Sequence, residues 1–236
     1  MGVPQTINDI KLYQWTEFLE YLDTNPDDKE LSIMAISLFC EISTEAVRKL
    51  KQKEKESILS QINTAIAERV PFASKFTLNG IDFGFIPNLD KLSIGEFADI
   101  ETYEKDKKDL WKVMSILYRP IVEQQPYNHY AIELYSGKLN ADFKDMPVGV
   151  VLSAHVFFCN LGQDLLGYIL KSLEGTKKGE ATSILRDSLK SGDGLDSFMD
   201  FVMGTSLIWI EFQKSLSIQP LCIQPTKLTG KASKTK

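Results

Sequence analysis

The 236-residue chain has little of what disulfide-rich, zinc-binding or nucleic-acid-binding proteins are built from. Its three cysteines, Cys40, Cys159 and Cys222, lie far apart, which argues against a disulfide framework and against a zinc site with closely paired ligands. We therefore expect reduced thiols that pack as small hydrophobic groups, in a reducing cytosol at least during synthesis. The formal net charge of −5 argues against a concentrated basic surface for phosphate binding.

Long hydrophobic runs are also missing. The longest, residues 146–162, is shorter than the roughly 20 residues that a membrane-spanning helix needs, and it includes His155 and Asn160. It predicts a buried helix and no membrane span. The N-terminus has no basic start followed by an apolar core, so we expect no signal peptide.

Histidine is scarce as well. His129 lies in a polar loop rich in aromatics, and His155 lies on the apolar run, where a core histidine is expected. Neither has a second histidine or cysteine at metal-binding spacing, and no nucleophile elbow, Walker loop or dinucleotide fingerprint is present.

The acidic residues do not form a recognisable site. The pairs Asp142 with Asp145 and Glu96 with Glu101 show no sign of convergence, and the group Asp193, Asp196 and Asp200 lacks the order of an EF-hand. Capping and solvation explain these acids. We predict no catalytic, cofactor-binding or metal-binding residues, and therefore no enzyme. An enzyme would need a pocket that brings His129, Glu123 or Asp145 beside an activated partner.

Apolar residues at helical spacing predict four helices in the first 70 residues. A turn at residues 25–28 separates the first two, Ser43 or Thr44 caps the third, and the fourth ends before Pro71. The charged run at residues 49–57 is either a loop or the start of that fourth helix.

The stretch from Lys75 to Phe85 predicts a β-hairpin. Asn79-Gly80 favours a type I′ turn, because both positions need positive φ. In that register Leu78 faces Ile81 and Phe76 faces Phe83 on one face, with Thr77 and Asp82 on the other. Gly84 then marks a bulge or a close packing contact.

Helices resume after the hairpin. Ser93-Ile94-Gly95-Glu96 is a capping box, a second helix ends at Arg119-Pro120, a polar loop follows, and the apolar helix starts near Pro147. Further helices are expected at residues 183–189 and 195–216. Residues 219–236 hold four lysines and no acids.

These patterns predict a mainly α-helical fold with one small β-hairpin, an α+β arrangement that divides into two lobes. The expected units are an N-terminal helical lobe at residues 1–70, a hairpin-plus-helix lobe at 71–218, and a disordered basic tail at 219–236. The alternative to a disordered tail is a basic arm that contacts nucleic acid or an acidic partner.

Several strings together resemble one protein family. They are IKLYQWTEFLEYL, LFCEISTEAVRKL, FTLNGIDFGFIPNLDKLSIGEFADIETY, LWKVMSILYRPIV and MPVGVVLSAHVFFCNLG. The most specific parts are Phe85 to Leu89, Gly95 to Phe97, and Leu117 to Pro120. The strings look like a small family encoded among the virion-structure genes of tailed bacteriophages, including crAss-like phages, and the resemblance covers roughly residues 7–170.

The resemblance implies a virion-associated or assembly protein without catalysis, in the virion and, during assembly, in the host cytoplasm. One role is packaged cargo or a tail-lumen component that leaves with the genome, and a helical chain without cross-links suits passage through a narrow channel. The alternative is a tail assembly chaperone that shields apolar surfaces. Expected partners are tail, portal or capsid proteins, a second copy of the chain, and weakly bound nucleic acid at the basic tail.

Overall fold

The computed structural model describes residues 2–89 and 92–173, and in this part the chain forms helices packed around one antiparallel sheet. The helices expected at 183–189 and 195–216 and the basic tail lie outside the described residues. Among the described residues, no helix is both long enough and apolar enough to cross a membrane.

The four predicted N-terminal helices are present. They are α1 (Leu12–Leu22), α2 (Asp28–Phe39), α3 (Thr44–Arg48) and α4 (Gln52–Ile66). Ser43 Oγ caps α3 by accepting from the Ala46 N–H at 3.2 Å. The charged run at residues 49–57 includes the start of α4. The helices bury a first hydrophobic core that includes Trp15, Phe18, Ile36, Phe39, Ile62 and Ile66.

The predicted hairpin is confirmed with its register. Strands β1 (Lys75–Leu78) and β2 (Ile81–Phe85) pair antiparallel, with Phe76 opposite Phe83 and Leu78 opposite Ile81. Asn79 and Gly80 have φ of 50° and 77°, as a type I′ turn requires.

The sheet has two more strands than the sequence predicted. Strand β3 (Tyr118–Gln124) follows directly after a helix, and β4 (Tyr130–Ile132) lies in the stretch predicted to be a polar loop. The strand order is β1-β2-β3-β4, with a register shift between Ile121 and Glu123. Pro120 fits in the inner strand β3 because its C=O accepts from the Glu133 N–H at 2.9 Å, and only its own missing N–H is lost from the ladder.

Three further helices flank the sheet: α5 (Ile94–Tyr103), α6 (Leu110–Leu117) and α7 (Val148–Leu173). The Ser93 capping box of α5 is confirmed, because Ser93 Oγ accepts from the Glu96 N–H at 3.2 Å and the Ser93 N–H donates to Glu96 Oε2 at 2.7 Å. A second hydrophobic core lies against the sheet and includes Phe83, Phe85, Val113, Tyr118, Phe143, Met146 and Val151.

The start of α7 joins the two cores. Val148 lies in the first core and Val151 in the second. The Leu12 N–H donates to the Met146 C=O and the Val148 N–H to the Ile10 C=O, both at 2.9 Å. The helices and the sheet together show the coarse α+β class that the sequence predicted. The division into two lobes stays a prediction.

Candidate functional site

The three most specific strings of the resemblance meet at one place in the fold. The Ile86 N–H, just after β2, donates to the Leu117 C=O at the end of α6 at 2.9 Å. The Phe85 and Tyr118 rings are 5.2 Å apart. Arg119 on β3 pairs with Glu96 on α5, at 2.8 Å from Nη2 to Oε1. One backbone hydrogen bond, one ring contact and one ion pair therefore connect segments that are far apart in the sequence.

The ion pair is deeply buried. The side chains of Arg119 and Glu96 are only 13% and 5% exposed. Burying two charges is costly unless they pair and their other polar atoms are bonded. Glu96 meets that condition, because its second oxygen accepts from the Ser93 N–H. Glu96 is the buried residue of α5, while Ile100 and Tyr103 of the same helix are partly buried against the second core.

Two more side chains extend the pair. The Tyr135 hydroxyl hydrogen-bonds the Asp99 carboxylate, one turn further along α5, and the Arg119 guanidinium carbon lies 5.9 Å from the Tyr135 ring centroid. Burial, and then the bond to Asp99, raises the pKa of Tyr135, so the phenol keeps its proton at neutral pH. We call Glu96, Asp99, Arg119 and Tyr135 the Arg119 junction.

The junction has the geometry of a clamp. It ties α5 to β3 and to the segment after β4. Arg119 Nε is buried without a hydrogen-bond partner among the described residues. The Arg119 guanidinium nevertheless contacts the Glu96 carboxylate and the Tyr135 ring. An arginine already held by a carboxylate and a ring is a poor site for a second anion, because that anion would have to displace Glu96.

The Tyr130 side chain extends from β4 across the sheet to the end of β2 and the residue before β1. Its hydroxyl lies 2.8 Å from the Phe85 C=O and 3.0 Å from the Ser74 C=O, and its ring covers Gly84. A Cβ at residue 84 would overlap that ring, with Tyr130 Cδ2 at 2.7 Å. Of the two explanations for Gly84, the close packing contact is therefore the one observed.

The outer end of the sheet exposes apolar side chains. Val122 at the register shift is 65% exposed, Leu134 just after β4 is 87% exposed, and Tyr127 in the connecting turn is 94% exposed. Glu123, next to Val122, and Glu133, next to Leu134, are also exposed. Neither carboxylate forms an ion pair within the described part of the chain. We call these five residues, with β4, the open edge.

The residues that an enzyme would require are not joined in this part of the chain. His129 is exposed at the start of the open edge, and Glu123 is exposed on β3. Asp145 lies 3.7 Å from Lys11 Nζ, and no hydrogen bond or ion pair within residues 2–89 and 92–173 joins it to His129 or Glu123.

The acidic pairs are also apart. Asp142 accepts from Asn79 Nδ2 at 3.2 Å, whereas Asp145 faces Lys11. Glu96 and Glu101 are five positions apart on α5, which places them about 140° around the helix. Asp193, Asp196 and Asp200 lie outside the described residues. Where the chain is described, no three His, Cys, Asp or Glu side chains group to hold a metal ion.

His155 lies on α7 as predicted and is partly buried. Burial lowers its pKa to about 4, so the imidazole is neutral at physiological pH. The Cys40 thiol is buried and free, and burial raises its pKa to about 11.

The sequence predicts Glu96 as a capping residue and Arg119 as the end of a helix, but it does not pair them. They are 23 positions apart, and nothing local in the sequence relates a helix cap to a strand that was not predicted. No family model, no curated protein and no solved structure matches the chain.

Proposed function

We propose that this chain is a non-enzymatic protein of a tailed bacteriophage particle. Its leading role is that of a cargo or tail-lumen component, packaged in the particle and released with the genome. Its partners are tail, portal or capsid proteins, and it passes through the host cytoplasm during assembly. The proposal rests on the family resemblance together with the way in which the matched residues are used in the fold.

The convergence of the matched strings is the observation that carries the proposal. Residues 85–89, 95–97 and 117–120 contact one another through the Ile86–Leu117 hydrogen bond and the Glu96–Arg119 pair. Side chains used in this way specify a fold. Proteins that share such residues share a fold, and a particle component has to keep its fold.

The packaged role asks for a chain that can unfold to pass a narrow channel. A cross-link would prevent this, and the Cys40 thiol is free. The Arg119 junction holds α5 against the sheet through a few charged contacts. Such contacts are lost together once α5 leaves the sheet, which suits cooperative unfolding.

Mass spectrometry of purified particles tests the packaged role. The chain is quantified against a labelled peptide standard in filled particles and again in particles emptied by triggered genome release. We expect it in filled particles and a large depletion after release. Its absence from filled, mature particles contradicts the packaged role.

A tail assembly chaperone is the second candidate, and the open edge favours it. Exposed Val122, Tyr127 and Leu134 provide apolar contact area beside an edge strand, the type of surface that pairs with another polypeptide. This role predicts a soluble complex with a tail protein when the two are co-expressed. Replacing Val122 and Leu134 by Ser should weaken that complex, while replacing the exposed Ile94 on α5 by Ser should leave it intact.

A further inference from the structure

Among the described residues, one side of strand β4 has no pairing strand. The hydrogen bonds from Gln125 N–H to His129 C=O and from Glu133 N–H to Pro120 C=O show that His129 and Glu133 face β3. Because antiparallel ladders alternate, the backbone groups of Tyr130 and Ile132 point away from β3. No hydrogen bond to these groups is formed within the described residues. The edge can therefore accept a fifth strand.

The two faces of this edge differ in character. Ile132 pairs with Ile121 and Tyr130 with Gln124, which places Tyr130 and Ile132 on one face and Ala131 with Glu123 on the other. Glu133 lies on the same face as Ala131 by the same alternation. A strand added here would meet apolar side chains on one face and, on the other, two carboxylates that form no ion pair in the described part of the chain.

The chain itself contains a segment of matching chemistry. Residues 219–236 include four of its 27 Lys and Arg residues and none of its 32 Asp and Glu, so the other 218 residues carry a net charge of −9. In the run Thr226-Lys227-Leu228-Thr229, Lys227 and Leu228 would project to opposite faces of a strand. We propose that residues 219–236 pair with the free side of β4 of the same molecule, with Lys227 against Glu123 and Glu133 and Leu228 against Ile132.

The connection is long enough. Forty-five residues, 174–218, separate the end of α7 from this segment. The helices expected at residues 183–189 and 195–216 would extend about 10 and 33 Å, and the other residues of the connection can span up to about 50 Å, whereas a globule of about 170 residues has a radius of gyration of about 15 Å. The segment can therefore reach any part of the described surface.

A second copy is a poorer occupant. Pairing β4 with β4 of another molecule would place Glu123 and Glu133 of both copies on one joint sheet face and would bring no cation to offset them. The inference does not rest on the proposed function, because it holds whether or not the chain belongs to a phage particle.

Zero-length carbodiimide cross-linking of the full chain is the first test. A mixture of ¹⁵N-labelled and unlabelled protein separates links within one molecule from links between copies. We expect links from Glu123 or Glu133 to Lys227 or Lys231 within one molecule, and a several-fold loss in about 0.5 M salt. Links that join only different copies, or lysines of the segment linked only to other acids, overturn the proposal.

Hydrogen exchange at Tyr130 and Ile132 is the second test, because residues 2–89 and 92–173 offer no partner to their outward N–H groups. We expect slow exchange in the full chain and exchange about tenfold faster in the Lys227→Glu/Lys231→Glu variant. The control Lys49→Glu/Lys53→Glu changes the net charge equally at exposed positions and should leave both amides slow. Fast exchange in the unmodified chain, or equal rates in both variants, refutes the proposal.

Discussion

Replacing Arg119 by Met tests the Arg119 junction most sharply. Met keeps much of the apolar stem but leaves the Glu96 carboxylate buried without its cation. Removing one partner of a buried pair costs about 3–5 kcal/mol. We expect a value near the lower end, about 3 kcal/mol, because Glu96 Oε2 keeps its bond from the Ser93 N–H.

The pair Arg48–Glu30 is a matched control. Its nitrogen–oxygen distance is 2.7 Å, close to the 2.8 Å of Arg119–Glu96, but its side chains are 51% and 37% exposed. Arg48→Met should therefore cost only about 0–1 kcal/mol. The two pairs share their chemistry and length, so the difference between the variants measures the effect of burial.

Urea unfolding followed by far-ultraviolet circular dichroism gives both free energies of unfolding. The double variant Glu96→Gln/Arg119→Met completes a cycle with the single variants and isolates the coupling between the two side chains. Equal losses for Arg119→Met and Arg48→Met would refute the reasoning, since the buried pair would then contribute no more than a surface pair.

Three further predictions concern single positions. Gly84→Ala should lose about 1–3 kcal/mol because its Cβ overlaps the Tyr130 ring, whereas Gly95→Ala, whose Cβ meets nothing closer than 4.0 Å, should be neutral or stabilising; equal urea midpoints would contradict the close contact. Gly80→Val should lose about 1–3 kcal/mol because φ is +77°, and an unchanged melting temperature would show that the turn is misassigned. Cys40, buried and with its pKa raised to about 11, should resist a thiol reagent at pH 8 until urea unfolds the chain, and rapid labelling of Cys40 in the native protein, mapped by mass spectrometry, would contradict that burial.

The local parts of the fold could be predicted from the sequence because short-range chemistry determines them. Asn79-Gly80 selects a type I′ turn, and the alternation of Phe76, Leu78, Ile81 and Phe83 sets the register around it. Ser93 and Glu96 close a capping box within one turn. In each case the interacting groups are few residues apart.

Strands β3 and β4 could not be predicted in the same way. The apolar period of α6 leads up to Tyr118, and Pro120 reads as the end of a helix rather than as part of an inner strand. Its place in the sheet depends on β2, more than 30 positions earlier, and on the bond from Glu133. The polar composition around Tyr130 is typical of a loop because β4 is a short edge strand.

The Arg119 junction could not be predicted from the sequence for the same reason. Glu96 looked complete as a helix cap, since its local hydrogen bond accounts for a carboxylate at that position. Its second role as the partner of Arg119 requires α5 and β3 to lie together, and that packing is tertiary. The open edge likewise could not be predicted, because it depends on β4, which the sequence pattern did not predict to be a strand.

Imaging of purified phage particles, to see whether they contain the chain and where, tests the proposed packaged role most directly. Cryo-electron microscopy of filled and emptied particles should show density for the sheet and helices described above inside the capsid or the tail lumen of filled particles, and no such density after genome release. Density on the outer surface that persists after release, or none in filled particles, would contradict the packaged role.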